Sequence, residues 1–307
     1  MMKISQLVPN IILLCTLAAF GGNPAPSTKA GLEVKVMSFN ILYYRYWGVR
    51  AGEQAWTARR KLVVETIQNS GADVIGLQEA TFPQVEYLRG KLEDEWGILV
   101  TYREGLPIDK ALSNAIFYRK DCITVDDWGT FWFSDTPDEP GSKGWGNRMP
   151  RLCTWGYFTK RSSGKKFYLY NAHIDHAVQN SRTRSAALIA DRIAYRKHQP
   201  SPVVFLGDLN AREDNPIIHF FKGEGELTFD NKTVTNPMSF VDTFRVVHGE
   251  KADAGTFHGF HKDRKRAKID YIFVPVGTKV LDAKVLTEPT NGQYPSDHCP
   301  TTATLGL

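Results

Sequence analysis

Residues Val203-Val204-Phe205-Leu206-Gly207-Asp208-Leu209-Asn210 decide how the rest of this chain is interpreted. Four consecutive apolar residues, two of them β-branched, predict a strand that is buried on both faces. Asp208 and Asn210 follow it and would lie on the same side of an extended backbone. Open α/β sheets bind ligands beyond their strand ends, so this pair is a candidate site. The alternative is an Asx-type turn, because aspartate and asparagine are common turn residues.

Other short apolar segments of the chain also end in polar residues. Each of these residues can bind a proton, a metal ion or an oxyanion. They are Asn40, Glu79, His173 with Asp175, Asp270, and Asp297 with His298. No nucleophile elbow, P-loop or dinucleotide-binding glycine motif accompanies them. Carboxylates, amides and imidazoles in this pattern indicate chemistry with a hard divalent cation and a phosphate.

The composition is that of an ordinary globular protein. The chain has 307 residues, of which 42% are apolar and 23% are charged, so it can bury a large core without disulfides. The net charge of +5 is compatible with a phosphate-bearing substrate but is far below that of a nucleic-acid coat protein. None of the four cysteines has the CxxC spacing of a cysteine zinc site. Strands and helices alternate without a linker after residue 31, which predicts a single domain over residues 31–307.

The first residues differ from the rest of the chain. Lys3 precedes the apolar run Ile11 to Phe20, and a segment rich in Gly, Pro, Ala and Ser follows. A basic start, a short apolar run and a small-residue exit are typical of a signal peptide, and the run is too short to span a membrane. We therefore predict a signal peptide with a flexible lead-in over residues 1–30, and export to the periplasm or the exterior. The alternative is a buried N-terminal strand.

Six short motifs occur in one order along the chain and together resemble the endonuclease/exonuclease/phosphatase family, the metal-dependent phosphodiesterases with the DNase I-like fold. They are Ser38-Phe39-Asn40, Leu77-Gln78-Glu79, Asn171-Ala172-His173, Gly207-Asp208-Leu209-Asn210, Ile269-Asp270-Tyr271-Ile272-Phe273 and Ser296-Asp297-His298-Cys299-Pro300. One departure is Ala172, where many members carry threonine, although the imidazole of His173 is kept. The resemblance implies an α/β (α+β) fold: a four-layer sandwich of two mixed β-sheets packed face to face with helices outside.

The resemblance also implies roles for the site residues. Glu79 would bind Mg²⁺, with Mn²⁺ as the alternative ion, and Asn40 would lie beside it with Asp297 as a second carboxylate. The catalytic residues would be Asp208 and Asn210 at the attacking water, His298 paired with Asp270, and His173 at the scissile phosphate. Asp175 would support His173 from behind. Arg151 and His258 lie near motif strands and are candidate substrate-binding residues.

The predicted function is hydrolysis of a phosphodiester by in-line attack of water, as in a nuclease. The substrate would be a nucleic acid, a nucleotide, a phospholipid or a sugar phosphate, and the protein is expected to act as a monomer without an obligate protein partner. A phosphomonoesterase or a lipid or inositol phosphodiesterase on the same scaffold is the near alternative. A non-catalytic phosphate-binding module is the alternative of another class.

Overall fold

Two six-stranded sheets form the centre of the fold. The computed structural model describes residues 31–44, 52–108, 111–261 and 266–307, so the predicted signal peptide lies outside the described residues. The strands of the described part are β1 (Glu33–Asn40), β2 (Val74–Gln78), β3 (Ala80–Thr81), β4 (Trp96–Leu99), β5 (Leu112–Ser113), β6 (Ile116–Arg119), β7 (Ile123–Trp132), β8 (Leu152–Lys160), β9 (Lys166–His173), β10 (Val203–Asp208), β11 (Leu227–Phe229), β12 (Lys232–Val234), β13 (Phe240–Asp242), β14 (Asp270–Pro275), β15 (Lys279–Val285) and β16 (Thr301–Gly306). The α-helices are α1 (Trp56–Asn69), α2 (Phe82–Leu92), α3 (Gln179–Ala194), α4 (Pro216–Lys222) and α5 (Thr243–His248).

Both large sheets are mixed. The first has the strand order β15-β16-β1-β2-β6-β4, and the second has the order β13-β14-β10-β9-β8-β7. In the first sheet β1 and β2 run parallel, in the second β9 and β10 do, and the remaining pairs are antiparallel. The small pairs β3–β5 and β11–β12 lie apart from them. This arrangement confirms the predicted pair of mixed sheets.

Apolar side chains divide the fold into layers. Val34, Val36 and Ile116 of the first sheet share one buried cluster with Val204 and Leu206 of the second, so the sheets pack face to face. The outer face of the first sheet packs against α1 and α2, and the outer face of the second packs against α3 and α4. The predicted four-layer sandwich is therefore confirmed.

Strand β10 lies inside the second sheet and is buried on both faces, as its sequence predicts. Val203 and Phe205 point into the cluster beneath α3 and α4, while Val204 and Leu206 point between the sheets. The alternation of side chains along a strand divides these four residues between two apolar layers. The strand is hydrogen-bonded on both edges, parallel to β9 and antiparallel to β14.

Some elements differ from the sequence prediction. Strand β4 was not predicted, because its four residues follow an acidic segment and are too few to show a period. The hairpin β11–β12 was also missed, although Asp230 and Asn231 at its turn both have positive φ and are residues that such turns favour. No helix of the described residues is long and apolar enough to cross a membrane. Cys122, Cys153 and Cys299 are all free.

Gly207 allows β10 to pack against its neighbour just before the polar strand end. Its φ is +145°, and a Cβ built there would lie 1.9 Å from the carbonyl oxygen of Ala172 on β9. The obstacle is backbone, which cannot move without breaking the pairing of the two strands. Only glycine fits this position, so the close pairing of β10 with β9 at the strand end depends on it.

We expect Gly207→Ala to lower the free energy of unfolding by about 3–5 kcal/mol, because the methyl group meets the Ala172 carbonyl in a backbone conformation that alanine avoids. Chemical denaturation followed by circular dichroism measures this. The matched control is Gly90→Ala in α2, where a Cβ meets nothing within 4 Å. That variant should be more stable by about 1 kcal/mol, because alanine favours a helix. Equal stability of the two variants would contradict the argument.

Candidate active site

The register of the second sheet brings three of the predicted catalytic residues together. Asp208, the last residue of β10, is paired with His173 on β9 and with Asp270 on β14. The three residues follow one another across neighbouring strands at one end of the sheet. All three are buried, with 1 to 2% of each residue exposed.

The first sheet contributes Asn40 at the end of β1. Its Nδ2 donates to Oδ2 of Asp208 at 2.9 Å, and its Oδ1 accepts from the backbone N–H of Leu42 at 3.0 Å. The sequence predicted that Asn40 would lie beside the metal ligand Glu79. Asn40 is paired with Gln78, the residue before Glu79, and its amide is directed at Asp208. The side chain therefore joins the two sheets at the site and orients the carboxylate of Asp208.

A second polar contact between the sheets lies behind the site. Nε2 of Gln78 donates to Oδ1 of Asn171 at 2.7 Å, and Nδ2 of Asn171 donates to the carbonyls of Leu77 and Ala115. Both side chains are fully buried. Buried amides need partners, so this bond holds only in one alignment of the sheets. Gln78 and Asn171 belong to the sequence motifs but had no predicted role.

Asp208 lies in an environment that favours protonation. Burial and the nearby charge of Asp270 raise the pKa of Asp208 to about 7, although His298 and the hydrogen bonds from Asn210 and Asn40 act in the opposite direction. The backbone N–H of Asn210 donates to Oδ1 of Asp208 at 3.0 Å. A carboxylate with a pKa near neutrality can accept a proton from water efficiently.

His298 and Asp270 form a buried pair. Nδ1 of His298 lies 2.9 Å from Oδ2 of Asp270, and Nε2 lies 3.8 Å from Oδ2 of Asp208. Burial alone would lower the pKa of His298, but the charge and hydrogen bond of Asp270, with help from Asp208, raise it to about 10. His298 is therefore an imidazolium at neutral pH, as expected for a group that stabilises negative charge on a phosphate.

His173 has a different set of neighbours. Its Nε2 lies 3.0 Å from Nδ2 of Asn210 and 3.6 Å from Oδ2 of Asp208, while its Nδ1 lies 2.9 Å from Nη2 of Arg103. Burial and the charges of Arg151 and Arg103 hold the pKa of His173 well below its usual range. Arg103 was not predicted, because an arginine between Tyr102 and Glu104 has no feature in the sequence that separates it from a surface residue.

The turn after β10 corrects the sequence prediction about Asn210. Strand β10 ends at Asp208, and Asn210 has a φ of +46°, so the backbone is not extended between them. The two side chains do not project in parallel. Asn210 instead turns back, and its Nδ2 reaches both His173 and the carbonyl of Ile174. The turn and the site are formed by the same residues.

Comparison with known proteins agrees with this geometry. The model of the endonuclease/exonuclease/phosphatase family matches residues 37–298. The chain belongs to this family. A family member from Bacteroides thetaiotaomicron is 27% identical, with a TM-score of 0.77 over 90% of this chain and 98% of that one. A mannosyl-6-phosphatase from the same organism is also 27% identical with a TM-score of 0.77, over 89% of this chain and all of that one. An uncharacterized protein of Acanthamoeba polyphaga mimivirus is 26% identical over 71% of this chain and 79% of its own length.

Members of the endonuclease/exonuclease/phosphatase family hydrolyse phosphoesters and typically depend on a divalent metal, and the donor groups of this chain fit such an ion. One ligand atom each from Asp208, Asp270 and His298 lie within 4.8 Å of one another. Oδ1 of Asp270 is buried and has no hydrogen-bond partner among the described groups. An unpartnered buried carboxylate oxygen is unfavourable, and a hard cation would satisfy it. Asp270 keeps His298 protonated, and a protonated imidazole cannot bind a metal ion. The carboxylates of Asp208 and Asp270 are therefore better ligands than this imidazole.

The predicted metal ligands Glu79 and Asp297 lie outside that group of three. Glu79 directly follows β2, is only partly buried, and accepts a hydrogen bond from the backbone N–H of Tyr43 at 3.2 Å. Its φ of +62° is a conformation that a glutamate rarely adopts. Asp297 accepts from the hydroxyl of Ser296 at 3.3 Å, and its backbone carbonyl accepts from His258 and Gly259. Their roles as metal ligands stay predictions.

Asp175 does not support His173 as the sequence suggested. Strand β9 ends at His173, and Oδ1 of Asp175 accepts from the backbone N–H groups of Ala177 and Val178. Its other oxygen lies 3.5 Å from Nε of Arg151. The residue that contacts the far side of the His173 ring is Arg103. Asp175 therefore shapes the turn after β9 and partners a buried arginine.

Both predicted substrate-binding residues are buried. Arg151 is 2% exposed, and its Nη2 lies 2.9 Å from Nδ1 of the exposed His176. His258 is 6% exposed, its ring lies against that of Tyr294 at a tilt of 43° with centroids 4.3 Å apart, and its Nδ1 accepts from the backbone N–H of Phe260. Burial lowers the pKa of His258 to about 4. Neither residue presents its polar group on the surface, so contact with a substrate stays a prediction for both.

We expect the rate of phosphoester hydrolysis to follow the ionisation of Asp208 and His298. Asp208 must be ionised to accept a proton, so the rate should rise as the pH increases through about 7. His298 must be protonated, so the rate should fall only as the pH approaches about 10. Asp270→Asn removes the charge that raises the pKa of His298. The alkaline fall should then move toward neutral pH, with a loss on the order of 10²-fold at pH 8.

Initial rates with bis-p-nitrophenyl phosphate across pH 5–11 measure both limbs of this profile. The matched control is Asp282→Asn on β15, where the aspartate is partly exposed and pairs with Lys284 on the surface. Its profile should coincide with that of the unaltered protein. An unchanged alkaline limb in Asp270→Asn would show that His298 does not act as a cation.

Proposed function

We propose that this protein is an exported, divalent-metal-dependent hydrolase that cleaves a phosphoester by in-line attack of water. The observation that carries the proposal is the position of the Asp208 carboxylate. It accepts from Asn40 at 2.9 Å and lies 3.6 Å from Nε2 of His173 and 3.8 Å from Nε2 of His298. A base with a pKa near neutrality is thus held among groups that can bind a phosphate.

Each residue has a distinct part in the proposed reaction. Asp208 accepts the proton of the attacking water, and Asn40 and the backbone N–H of Asn210 fix its orientation. His298, kept protonated by Asp270, stabilises negative charge on the phosphate oxygens as the bond to water forms. No nucleophilic side chain is required, so no covalent enzyme intermediate forms.

The metal is proposed to be Mg²⁺, with Mn²⁺ as a substitute, bound by Glu79 together with Oδ1 of Asp270, while Asp208 stays free to act as the base. Mg²⁺ binds one or two carboxylates and completes its coordination with water and phosphate oxygens. When bound, it would polarise the phosphoryl group and neutralise charge on the leaving oxygen. Asp297 and Asn40 remain candidate additional ligands. The unpartnered Oδ1 of Asp270 supports the fit of a cation at this place.

Two substrate classes are proposed. A phosphodiester, as in a nuclease, is the first of them, by resemblance to the family, although motifs that all members share do not separate diesters from monoesters. A sugar phosphomonoester is favoured by one observation, the mannosyl-6-phosphatase that is similar to this chain over nearly its whole length. Lipid and inositol phosphodiesters fit the same chemistry. A non-catalytic binding module is disfavoured because Glu79, Asp208 and His298 are all present.

We expect Mg²⁺-dependent release of p-nitrophenol from bis-p-nitrophenyl phosphate or p-nitrophenyl phosphate, loss of release in EDTA, and recovery with Mg²⁺ or Mn²⁺. Faster turnover of the diester than of the monoester would identify a phosphodiesterase, and the reverse, with release of phosphate from mannose 6-phosphate, a phosphomonoesterase. Glu79→Gln should lower the rate at least 10²-fold and raise the Mg²⁺ concentration needed for half-maximal activity.

Glu86→Gln is the matched control for that substitution. Glu86 lies on the exposed face of α2, where it pairs with Arg89 at 3.2 Å, and its removal should leave the rate and the Mg²⁺ requirement unchanged. No turnover of these probes, of DNA, of RNA or of sphingomyelin with either metal would contradict the proposed hydrolase. Undiminished rates in EDTA would contradict the metal requirement alone.

Export rests on the N-terminal sequence pattern. When the whole chain is expressed in a Gram-negative host, we expect a mature protein in the periplasm or medium whose mass lacks a segment near residues 1–30. Intact-mass spectrometry of the fractions measures this. The control is a chain that begins at Gly31, which should stay in the cytoplasm. Retention of the unprocessed chain in the cytoplasm would contradict export.

A further inference from the structure

A buried arginine contacts the far side of the His173 ring. Arg103 is 1% exposed, and its Nη2 lies 2.9 Å from Nδ1 of His173. Its backbone is fixed as well, because its N–H donates to Leu112 and its carbonyl accepts from Nε1 of Trp132 at 2.7 Å. Neither end of this side chain is free to move away from the imidazole.

The chemistry of the guanidinium decides which ring nitrogen carries the proton. Arginine has only N–H donors, so a nitrogen 2.9 Å away must present a lone pair. A proton on Nδ1 would place two N–H groups against each other inside the protein. The lone pair of His173 therefore belongs on Nδ1, and the neutral ring carries its proton on Nε2.

The contacts of Nε2 test this assignment. Nδ2 of Asn210, a second donor, lies 3.0 Å away, so donors face both ring nitrogens and a neutral ring can accept from only one of them. The charged guanidinium makes the stronger bond. Nδ2 of Asn210 also has the carbonyl of Ile174 as an acceptor at 3.0 Å. Among the described residues, the carboxylate oxygen within 4 Å of Nε2 is Oδ2 of Asp208 at 3.6 Å, too far for a good hydrogen bond.

The two histidines of the site thus have opposite partners. Asp270, a carboxylate, faces Nδ1 of His298, whereas Arg103, a guanidinium, faces Nδ1 of His173. Arg151 makes the same kind of contact with Nδ1 of His176, at 2.9 Å. A carboxylate favours the imidazolium, and a guanidinium favours the neutral ring with a lone pair toward it. The two histidines therefore differ in protonation because one faces a carboxylate and the other faces a guanidinium.

We propose that Arg103 is a positioning residue that holds His173 as the neutral tautomer protonated on Nε2, so that His173 donates a hydrogen bond to a substrate phosphate oxygen. This role rests on the proposed function, since it concerns the same site. The weakly used Nε2–H is the group that an incoming phosphate oxygen would satisfy. His298 then supplies the positive charge, and His173 supplies a neutral donor with fixed direction.

Long-range ¹H–¹⁵N spectra of the ¹⁵N-labelled protein measure the protonation of each imidazole nitrogen, with His173→Gln to assign the signals. Near neutral pH we expect His173 to show an unprotonated Nδ1 and a protonated Nε2. Arg103→Lys keeps a donor and should keep this pattern. Arg103→Gln offers an acceptor as well, so Nδ1 should become protonated in part of the molecules. A protonated Nδ1 in the unaltered protein, or identical His173 signals in Arg103→Gln, would overturn the proposal.

Rates complete the test. With bis-p-nitrophenyl phosphate and p-nitrophenyl phosphate as probes, Arg103→Gln should lower kcat about 10–100-fold with little change in KM, and Arg103→Lys should restore a large part of it. The matched control is Arg119→Gln, which removes a surface arginine paired with Asp121 and should change neither spectra nor rates. If the unaltered protein turns over neither these probes nor DNA, RNA or sphingomyelin, the proposed hydrolase fails, while the spectra still decide the tautomer. If Arg103→Gln does not fold, the spectra of the unaltered protein decide it.

Discussion

The pairing of β10 with a parallel neighbour on one edge and an antiparallel neighbour on the other is the constraint on which the site depends. This pairing puts Asp208 opposite His173 and Asp270 with no contribution from loop conformation. Gly207 makes it possible, because any larger residue would meet the carbonyl of Ala172. Regular strands hold side chains more rigidly than loops do, so three groups of the site are placed before any substrate arrives. The first sheet then adds Asn40 through one hydrogen bond to Asp208.

Burial, together with neighbouring charges, shifts the pKa values of the ionisable groups in the site. In water Asp208 and Asp270 would both be ionised at neutral pH, but here burial and the charge of Asp270 raise the pKa of Asp208 to about 7. Asp270 at the same time keeps His298 protonated. The charge of Asp270 thus raises the pKa of Asp208, which makes it a stronger base, and also keeps His298 positively charged. Arg103 and Arg151, both buried close to His173, act in the opposite direction on that ring and lower its pKa. Neighbouring groups with pKa values moved in opposite directions are typical of catalytic sites.

The sequence predicted those elements whose structure is determined by the pattern of a few neighbouring residues. Alternating apolar residues predict a hairpin of Leu152 to Lys160 and Lys166 to His173, and β8 and β9 have these bounds. The burial of β10 on both faces follows from its four apolar residues. Asn210 and Asp175 were misjudged because both lie just after a strand ends, where alternation no longer fixes the direction of a side chain. Arg103 was missed because its role is set by residues far away in the sequence. Contacts between layers of the fold produce no periodicity or spacing in the sequence from which they could be predicted.

The place of β16 has a consequence for how the molecule is made. This strand lies between β1 and β15, so the first of the described strands pairs with the last of them. Until then one edge of β1 is open to pairing with other chains. The segment that carries His298 directly precedes β16, so this imidazole is made together with the closing strand. The candidate site is therefore incomplete until β16 has been made, and contacts between such distant segments make folding slow and dependent on protection from aggregation.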